Sequence, residues 1–370
     1  MATSNVPSRA PLATRWASPL LSWYESFQRD LPWRREPQPY HTWICEVMSQ
    51  QTTMAVVVPR FVTFVEALPS VQALAAASDD VLRSLWAGLG YYARARNLRK
   101  GAEYIAHERQ GRFPSGYAEW LEVPGVGPYT AAVIASINDG DPVACVDGNV
   151  IRVASRLRAL SQVPDVWSGE GQRRIRDFVQ AELDASSEAR ARPGHFNQAM
   201  MELGATVCTK NSPSCLHCPI QRSCAALAQG VVSMCPPTKP RKDIAEVSLL
   251  ALCLTGEKGV LLVEREVGFL KGTRGLPLVD SRFFPDLVAH ASLEAALGVP
   301  LVRAGAFSHG ITNHSIEGEA VIARIGDAPL PDLRFGSFRW TPIREVASAL
   351  SSSLDRKAWD RARAMFESLD

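Results

Sequence analysis

Four cysteines crowd one stretch of the chain. Cys208, Cys215, Cys218 and Cys224 read C-x6-C-x2-C-x5-C. Thiolates this close in sequence can converge on one soft metal centre, either a four-iron cluster or a structural zinc. Zinc ribbons usually set two tight C-x2-C pairs far apart. Here one tight pair, Cys215 and Cys218, stands between wider gaps, and that favours the cluster. Nothing in the chain indicates secretion, so disulfides explain the four poorly. The other cysteines, Cys45, Cys145, Cys235 and Cys253, read as packing residues.

A second chemistry lies upstream. Leu121-Glu122-Val123-Pro124-Gly125-Val126-Gly127-Pro128-Tyr129-Thr130 describes a helix, a glycine hairpin and a helix opening at Pro128. Gly125 and Gly127 allow a tight turn with outward N–H groups at a helix N-terminus, which is an anion site that a DNA phosphate fits. The bland alternative is a glycine-rich connector. Asp147-Gly148-Asn149 follows, with Asp147 twenty residues after Gly127; on its own it is an ordinary Asx turn or helix cap. Glu46 sits in the apolar run Trp43-Ile44-Cys45-Glu46-Val47-Met48. An acid with apolar neighbours has its pKa raised if buried, which suits a general acid; exposed, it would be a rim carboxylate.

These groups need a scaffold. Apolar residues recur at helical spacing in Leu20-Leu21-Trp23-Tyr24-Phe27 and from Ile44 to Leu68. Leu31-Pro32-Trp33-Arg34 breaks the first helix, and Thr52 and Thr53 are cap candidates. Helices are expected over Leu74–Leu85, Ala93–Ala106 and Tyr129–Ile137, with no strand before about residue 245. Cys235 to Lys242 is proline-rich and basic, and reads as a linker. Beyond it, Val247–Leu254 and Val260–Val263 read as a hairpin turned at Gly256–Gly259, Leu287–Leu297 as a helix and Ala320–Ile325 as a strand. The expected organisation is a tail over 1–19, a helical domain over 20–234, a linker over 235–245 and a smaller α+β domain over 246–370. The 370 residues are 46% hydrophobic and 21% charged with net charge +2. That is globular composition without a global basic field, so a nucleic-acid site must be local. No apolar run spans a membrane.

Taken together, the hairpin, the aspartate and the cysteine spacing resemble the endonuclease III superfamily of DNA glycosylases. Glu46-Val47-Met48-Ser49-Gln50-Gln51-Thr52, Gly88-Leu89-Gly90-Tyr91-Tyr92 with its following residues to Leu98, and Phe196-Asn197-Gln198-Ala199-Met200-Met201-Glu202-Leu203-Gly204 resemble its MutY-type adenine DNA glycosylases over residues 20 to 230. The resemblance implies a mainly α, two-lobed helix–hairpin–helix fold with a 4Fe-4S cluster on Cys208, Cys215, Cys218 and Cys224, then a Nudix-like C-terminal domain. It implies removal of adenine opposite 8-oxoguanine or guanine in duplex DNA by a cytoplasmic, nucleoid-associated monomer. Glu46 would be the general acid and Asp147 the anion facing the sugar, with Asn149 orienting Asp147 or water. Bifunctional relatives place a lysine two residues after the second hairpin glycine. Tyr129 stands there, which implies a monofunctional enzyme.

The resemblance further puts Trp33, Arg34, Tyr129 and Glu202 around the base, and Gln51 and Tyr91 in the emptied stack. Gly125 and Gly127, supported by Arg94 and Arg96, would hold the backbone. Phe307-Ser308-His309 matches the tripeptide that reads the lesion, against a chance loop histidine. Lys210 and Arg222 would face phosphate. The chain departs from the family at Ser49, where leucine is usual, at Ala132, where glycine is usual, and at Arg274-Gly275, which replace Trp-Glu. No Nudix hydrolase box is present, so pyrophosphatase activity is not expected. The alternatives are thymine removal from T·G mismatches and a catalytically inactive damage binder.

Overall fold

The computed structural model describes residues 15–366 except 163, 240–242, 267, 269, 281, 288, 312–313 and 327–335. Residues 1–14 of the expected tail and 240–242 of the expected linker lie outside the described residues. The chain divides into two compact units, one from residues 1–85 and 94–240, the other from residues 86–93 and 241–370.

The first unit is helical. Helix α1 (Ala17–Phe27) ends before Leu31, and Pro32 opens the single turn α2 (Pro32–Arg35). Helix α3 (Pro39–Ser49) buries Trp43, Ile44, Cys45, Val47 and Met48 and leaves Glu46 on its less buried face. Thr53, not Thr52, occupies the N-cap position of α4 (Met54–Ala67), and its side chain makes no capping bond. The stretch expected as one helix from Leu74 to Leu85 is two, α5 (Val71–Ala75) and α6 (Asp79–Leu85). The acids Asp79 and Asp80 favour a new helix N-terminus there. Helix α7 (Ala93–Glu103) runs on into a π turn over Tyr104–Glu108.

Helices α8 (Gly116–Glu122) and α9 (Pro128–Ile134) form the hairpin. Gly125 has φ +84°, and a Cβ there would meet Asn97, so only glycine serves. Gly127 has an ordinary φ and caps α9; its missing side chain leaves open space at the turn. Ala132 is buried beside Val133 and Cys145, so its methyl is packed.

Helix α10 (Gly148–Leu157) shows Val150, Ile151, Val153, Ala154 and Leu157 at helical spacing. They pack with Leu20, Leu21 and Tyr24 of α1, with Val179 and Leu183 of α11 (Gly169–Ala185), and with Phe196, Met200 and Leu203 of α13 (Pro193–Thr206), which follows the short α12 (Ser187–Ala191). The cysteine stretch has no long element. Two 3-10 turns, Cys215–His217 and Gln221–Ser223, lead to α14 (Ala225–Ala228).

The second unit is the expected α+β domain. Among the described residues the first strand is β1 (Ala245–Gly256), which turns at Gly256–Gly259 into β2 (Gly259–Glu264). With β3 (Arg274–Gly275), β4 (Leu278–Asp280), β5 (Val302–Ile311), β6 (His314–Arg324) and β7 (Phe338–Thr341), they make a mixed sheet ordered β3-β2-β1-β6-β5. The central β1–β6 pair is parallel. Both faces of β1 are covered, which is why it reads as a continuous apolar run. Val247, Leu249, Ala251 and Cys253 pack against Leu354, Ala358 and Trp359 of α17 (Ser353–Phe366) and Val346 of α16 (Ile343–Ala349). Leu250, Leu252 and Leu254 pack against Leu293 of α15 (His290–Leu297). The Arg274-Gly275 departure has a local reason. A Cβ at Gly275 would collide with the buried Arg265–Asp355 ion pair, and Arg274 pairs with Glu264 at 2.7 Å.

No helix among the described residues is long and apolar enough to cross a membrane.

Candidate active site

Glu46 and Asp147 open on one cavity of about 750 Å3 in the first unit. Trp33, Arg34, Gln51, Tyr129, Asn149 and Glu202 line it too, so eight of the sequence-predicted residues share one space. A larger cavity of about 870 Å3 lies in the second unit, with Glu257 its one carboxylate among Lys258, Arg344 and Trp359. We place the candidate site at the smaller one, because paired acids in a half-closed cavity can do acid–base chemistry and a lone rim acid cannot.

The Tyr129 hydroxyl donates to Glu46 Oε2 at 2.9 Å. Burial pushes the Glu46 carboxyl up to about 7; the tyrosine hydrogen bond and the Arg34 charge hold it down in part, and the Asp147 charge adds to the rise. Glu46 therefore holds a proton that it can release near neutral pH.

Asp147 is the N-cap of α10. Its Oδ1 accepts from the Val150 N–H at 2.7 Å and its Oδ2 from Asn149 Nδ2 at 2.8 Å. Burial raises its pKa, opposed by these same hydrogen bonds, which favour the charged form. The cap reading and the functional reading are thus compatible at one residue. The extended segment before Asp147 is pinned by amides: Asn197 accepts from Cys145 N at 3.1 Å and donates to Val143 O at 2.8 Å and Ser136 Oγ at 2.9 Å, while Gln180 accepts from Ala144 N at 2.8 Å. A Cβ on Gly204 would strike Asn149, so glycine lets α13 approach the start of α10.

Glu202 is 1% exposed and bound by two guanidinium groups. Arg29 reaches it through Nε at 2.6 Å and Nη2 at 2.9 Å, and Arg34 through Nη2 at 2.9 Å. Burial opposes ionisation, but these hydrogen bonds and the arginine charges outweigh it and hold Glu202 below its ordinary value.

Two expectations differ from the structure in where the residues sit. Arg94 is not available to phosphate. It donates to Val47 O at 2.6 Å, Met48 O at 3.1 Å and Gln50 O at 2.6 Å, closing the C-terminus of α3. Phe307-Ser308-His309 lies within the edge strand β5 and not in a loop. Phe307 is buried, Ser308 is exposed with its carbonyl accepting from Lys357 Nζ at 2.8 Å, and His309 stands near Ser353. Burial and the Lys357 charge lower the His309 pKa.

Gln51 and Tyr91 share a feature that sequence reading missed: both are non-glycine residues with positive φ, +58° and +47°. Such a backbone costs about 1–2 kcal/mol each, and among the described residues Gln110, Ala159 and Leu270 share it. Tyr91, 48% exposed, falls in the segment that belongs to the second unit.

Cys208, Cys215, Cys218 and Cys224 line one small cavity, with Arg156 beside them. Arg156 donates to Cys208 Sγ at 3.2 Å and to the carbonyls of Thr209, Lys210 and Cys235. Among the described residues no three His, Cys, Asp or Glu are grouped so as to hold one metal ion. Thiolates at the corners of a polynuclear cluster stand farther apart than ligands of one ion, and four soft donors around one cavity fit such a group. Lys210 and Arg222 are exposed on this stretch. Arg152 joins the two regions, donating to Asn149 Oδ1 and Cys208 O, each at 2.8 Å. Arg29, Arg152, Arg156 and Asn197 carried no spacing signal, since each has a partner remote in sequence: Glu202, Cys208, Thr209 and Cys145 in turn.

Residues 44–168 match the family model described as HhH-GPD superfamily base excision DNA repair protein. The chain is similar to the adenine DNA glycosylase of Mus musculus, 42% identical over 259 residues, which cover 65% of this chain and 48% of the mouse protein. It is also similar to the adenine DNA glycosylase of Buchnera aphidicola subsp. Baizongia pistaciae, 30% identical over 247 residues, covering 66% of this chain and 68% of that protein. The chain spans about half the length of the mouse relative it matches. Among solved structures, a thermostable thymine-DNA glycosylase superposes with a TM-score of 0.51 at 23% identity, over 58% of this chain and 95% of that one, and so shares the fold.

Proposed function

We propose, from the premise that this chain belongs to the adenine DNA glycosylase family, that it hydrolyses the N-glycosidic bond of adenine mispaired with 8-oxoguanine or guanine in duplex DNA. The observation that carries the reading is the pair of acids on one cavity wall, Glu46 with a pKa near 7 and Asp147 held as a hydrogen-bonded cap.

C1′ of a stacked nucleotide is out of reach, so the adenine is flipped into the cavity at a cost of a few kcal/mol. Gln51, which lines the cavity, fills the gap. Glu46, protonated, gives its proton to N7 of the base. The C1′–N9 bond then breaks, its electron pair leaving with a neutral adenine. The sugar becomes an oxocarbenium ion, which the Asp147 carboxylate stabilises. Water adds to C1′ and releases a proton, leaving an abasic site. Asn149 keeps Asp147 oriented through its 2.8 Å hydrogen bond. Tyr129 donates to Oε2 of Glu46, so the other oxygen is left to carry the proton. With no lysine at 129, no Schiff base forms by that route and the strand stays intact.

Gly125 and Gly127 bind the DNA backbone at the α9 N-terminus. Phe307, Ser308 and His309 read the 8-oxoguanine, Ser308 from the exposed side of β5. Cys208, Cys215, Cys218 and Cys224 hold a 4Fe-4S cluster, which when bound contributes folding energy to the stretch they span. Its exposed Lys210 and Arg222 meet phosphate. The domain limits proposed are 20–234 for the glycosylase part and 246–370 for the Nudix-like part. Single-turnover excision from A·8-oxoguanine, A·G and T·G duplexes tests the reading. Excision from the first two is expected, and cleavage of T·G alone would assign thymine instead.

A further inference from the structure

Helix α17 of the second unit presents two faces. Leu354, Ala358, Trp359 and Ala362 pack into the core under the sheet. Asp355 fastens the start of the helix: it is buried, pairs with Arg265 and accepts from the Leu276 N–H at 3.0 Å. The other face is cationic. Between Ser353 and Met365 the helix exposes Arg356, Lys357, Arg361 and Arg363 against one exposed acid, Asp360. Among the described residues no carboxylate pairs with Arg356, Lys357 or Arg361.

This face runs beside β5, which is an edge strand. Ser353, Lys357 and Arg361 recur every fourth residue and so stand in one row. Each meets the strand. The Ser353 hydroxyl lies 3.5 Å from His309 Nε2, and Lys357 Nζ donates to the Ser308 carbonyl at 2.8 Å. Gly305 lies under the Arg361 stem, where a Cβ would stand 3.4 Å from Cδ. Its φ of +140° falls at a bulge where β5 shifts register against β6, a backbone that glycine adopts without strain. Burial and the Lys357 charge lower the His309 pKa, so near pH 7 the helix and not the histidine supplies the positive charge.

We propose that α17 is a backbone clamp for the lesion-bearing strand: Lys357 and Arg361 bind its phosphates beside the base that Ser308 and His309 read. This rests on the adenine-excision reading above. A row of cations along a reading element suits a polyanionic backbone, and it fixes register without reading sequence. Lys357 uses one of its three N–H groups on Ser308 and keeps two for phosphate. A phosphate held there therefore has a set place relative to the reading strand. Arg361 stands one helical turn, about 5.4 Å, farther along, and side chains this long can reach neighbouring phosphates of one strand.

The test is duplex binding by the full chain carrying K357M, R361M, both, or R344M. The duplex pairs 8-oxoguanine with an adenine nucleotide whose 2′-fluorine destabilises the oxocarbenium ion and so prevents excision. Arg344, 87% exposed on α16, is a control that removes the same charge from another helix. The slope of log affinity on log salt should fall by about 0.9 for each clamp residue lost and stay at the wild-type value in R344M. One neutral methylphosphonate is then placed in turn at each phosphate near 8-oxoguanine. At one or two positions it should weaken the wild type about threefold and leave the double variant unchanged, because that charge pair is already broken.

Wild-type slopes in K357M and R361M, an equal fall in R344M, or methylphosphonate losses that persist in the double variant would overturn the proposal. So would sensitivity confined to the adenine strand. A row that only guards the edge strand would give those unchanged slopes together with self-association of the variants. Failure of the parent reading is separately visible: the wild-type chain would then leave adenine in the unfluorinated duplex, whatever the slopes and the strand map show.

Discussion

Glu46 and Asp147 share a cavity yet are tuned differently. Burial raises both, but only Asp147 has two N–H donors to favour its anion. This predicts a pH profile. The proposed mechanism requires protonated Glu46 and ionised Asp147, so the single-turnover rate should fall as pH rises through about 7, and fall again on the acid side where Asp147 takes up a proton. A rate that stays level to pH 9 would remove Glu46 from the acid role. The same shift bears on stability. The folded pKa lies above the ordinary 4.5, so the native state binds the proton more tightly than the unfolded chain. That stabilisation is complete below 4.5 and lost as pH rises through about 7. Glu46→Gln should therefore abolish excision while gaining about 2 kcal/mol over wild type between those limits, read by denaturant melts at the two pH values. Tyr129→Lys places an amine beside Glu46. Borohydride should then trap a covalent protein–DNA adduct that the wild type never gives, and no adduct would mean that the amine does not reach C1′.

At the scale of elements, α3 and the segment before α10 are the two carriers, and each is fastened by a remote side chain. Arg94 closes α3 with three carbonyl contacts. Arg94→Met should lower stability by about 2–4 kcal/mol, from several charged hydrogen bonds lost at once, and loosen the turn that holds Gln51. A thermal midpoint equal to wild type would contradict this. The helices themselves were legible in the sequence, because apolar spacing is local. So were Glu46, Asp147 and the hairpin, because each stands within a short motif. The division between α5 and α6, the π turn after α7 and a second one over Ala135–Asp139 after α9 were not, since they depend on how backbone ends are satisfied. Arg29, Asn197 and Arg152 were illegible for another reason. An arginine or asparagine looks the same in sequence whether it meets water or a buried partner far along the chain. In the second unit the β1–β2 hairpin was readable from Gly256 and Gly259. The parallel β1–β6 pairing was not, because register between distant strands is set by the core and not by a turn.

At the scale of the whole molecule, the proposal joins a helical catalytic unit, a cysteine stretch and a sheet domain in one repair enzyme. Purified chain should carry about four irons and absorb visible light through thiolate-to-iron charge transfer. Cys218→Ser should lose both and weaken duplex binding, whereas a colourless protein with one zinc would contradict the cluster. Replacing Ser308 and His309 together by alanine should narrow the preference for A·8-oxoguanine over A·G, measured by competition binding. An unchanged ratio would place lesion reading elsewhere than β5. The central claim is adenine excision by the Glu46–Asp147 pair, and single-turnover assay on an A·8-oxoguanine duplex measures it directly. The account predicts free adenine and an alkali-labile abasic site from wild type, no nicked strand before alkali, and no release by Glu46→Gln or Asp147→Asn bound to the same duplex. Adenine release by either variant near the wild-type rate, or none by the wild type, would contradict it.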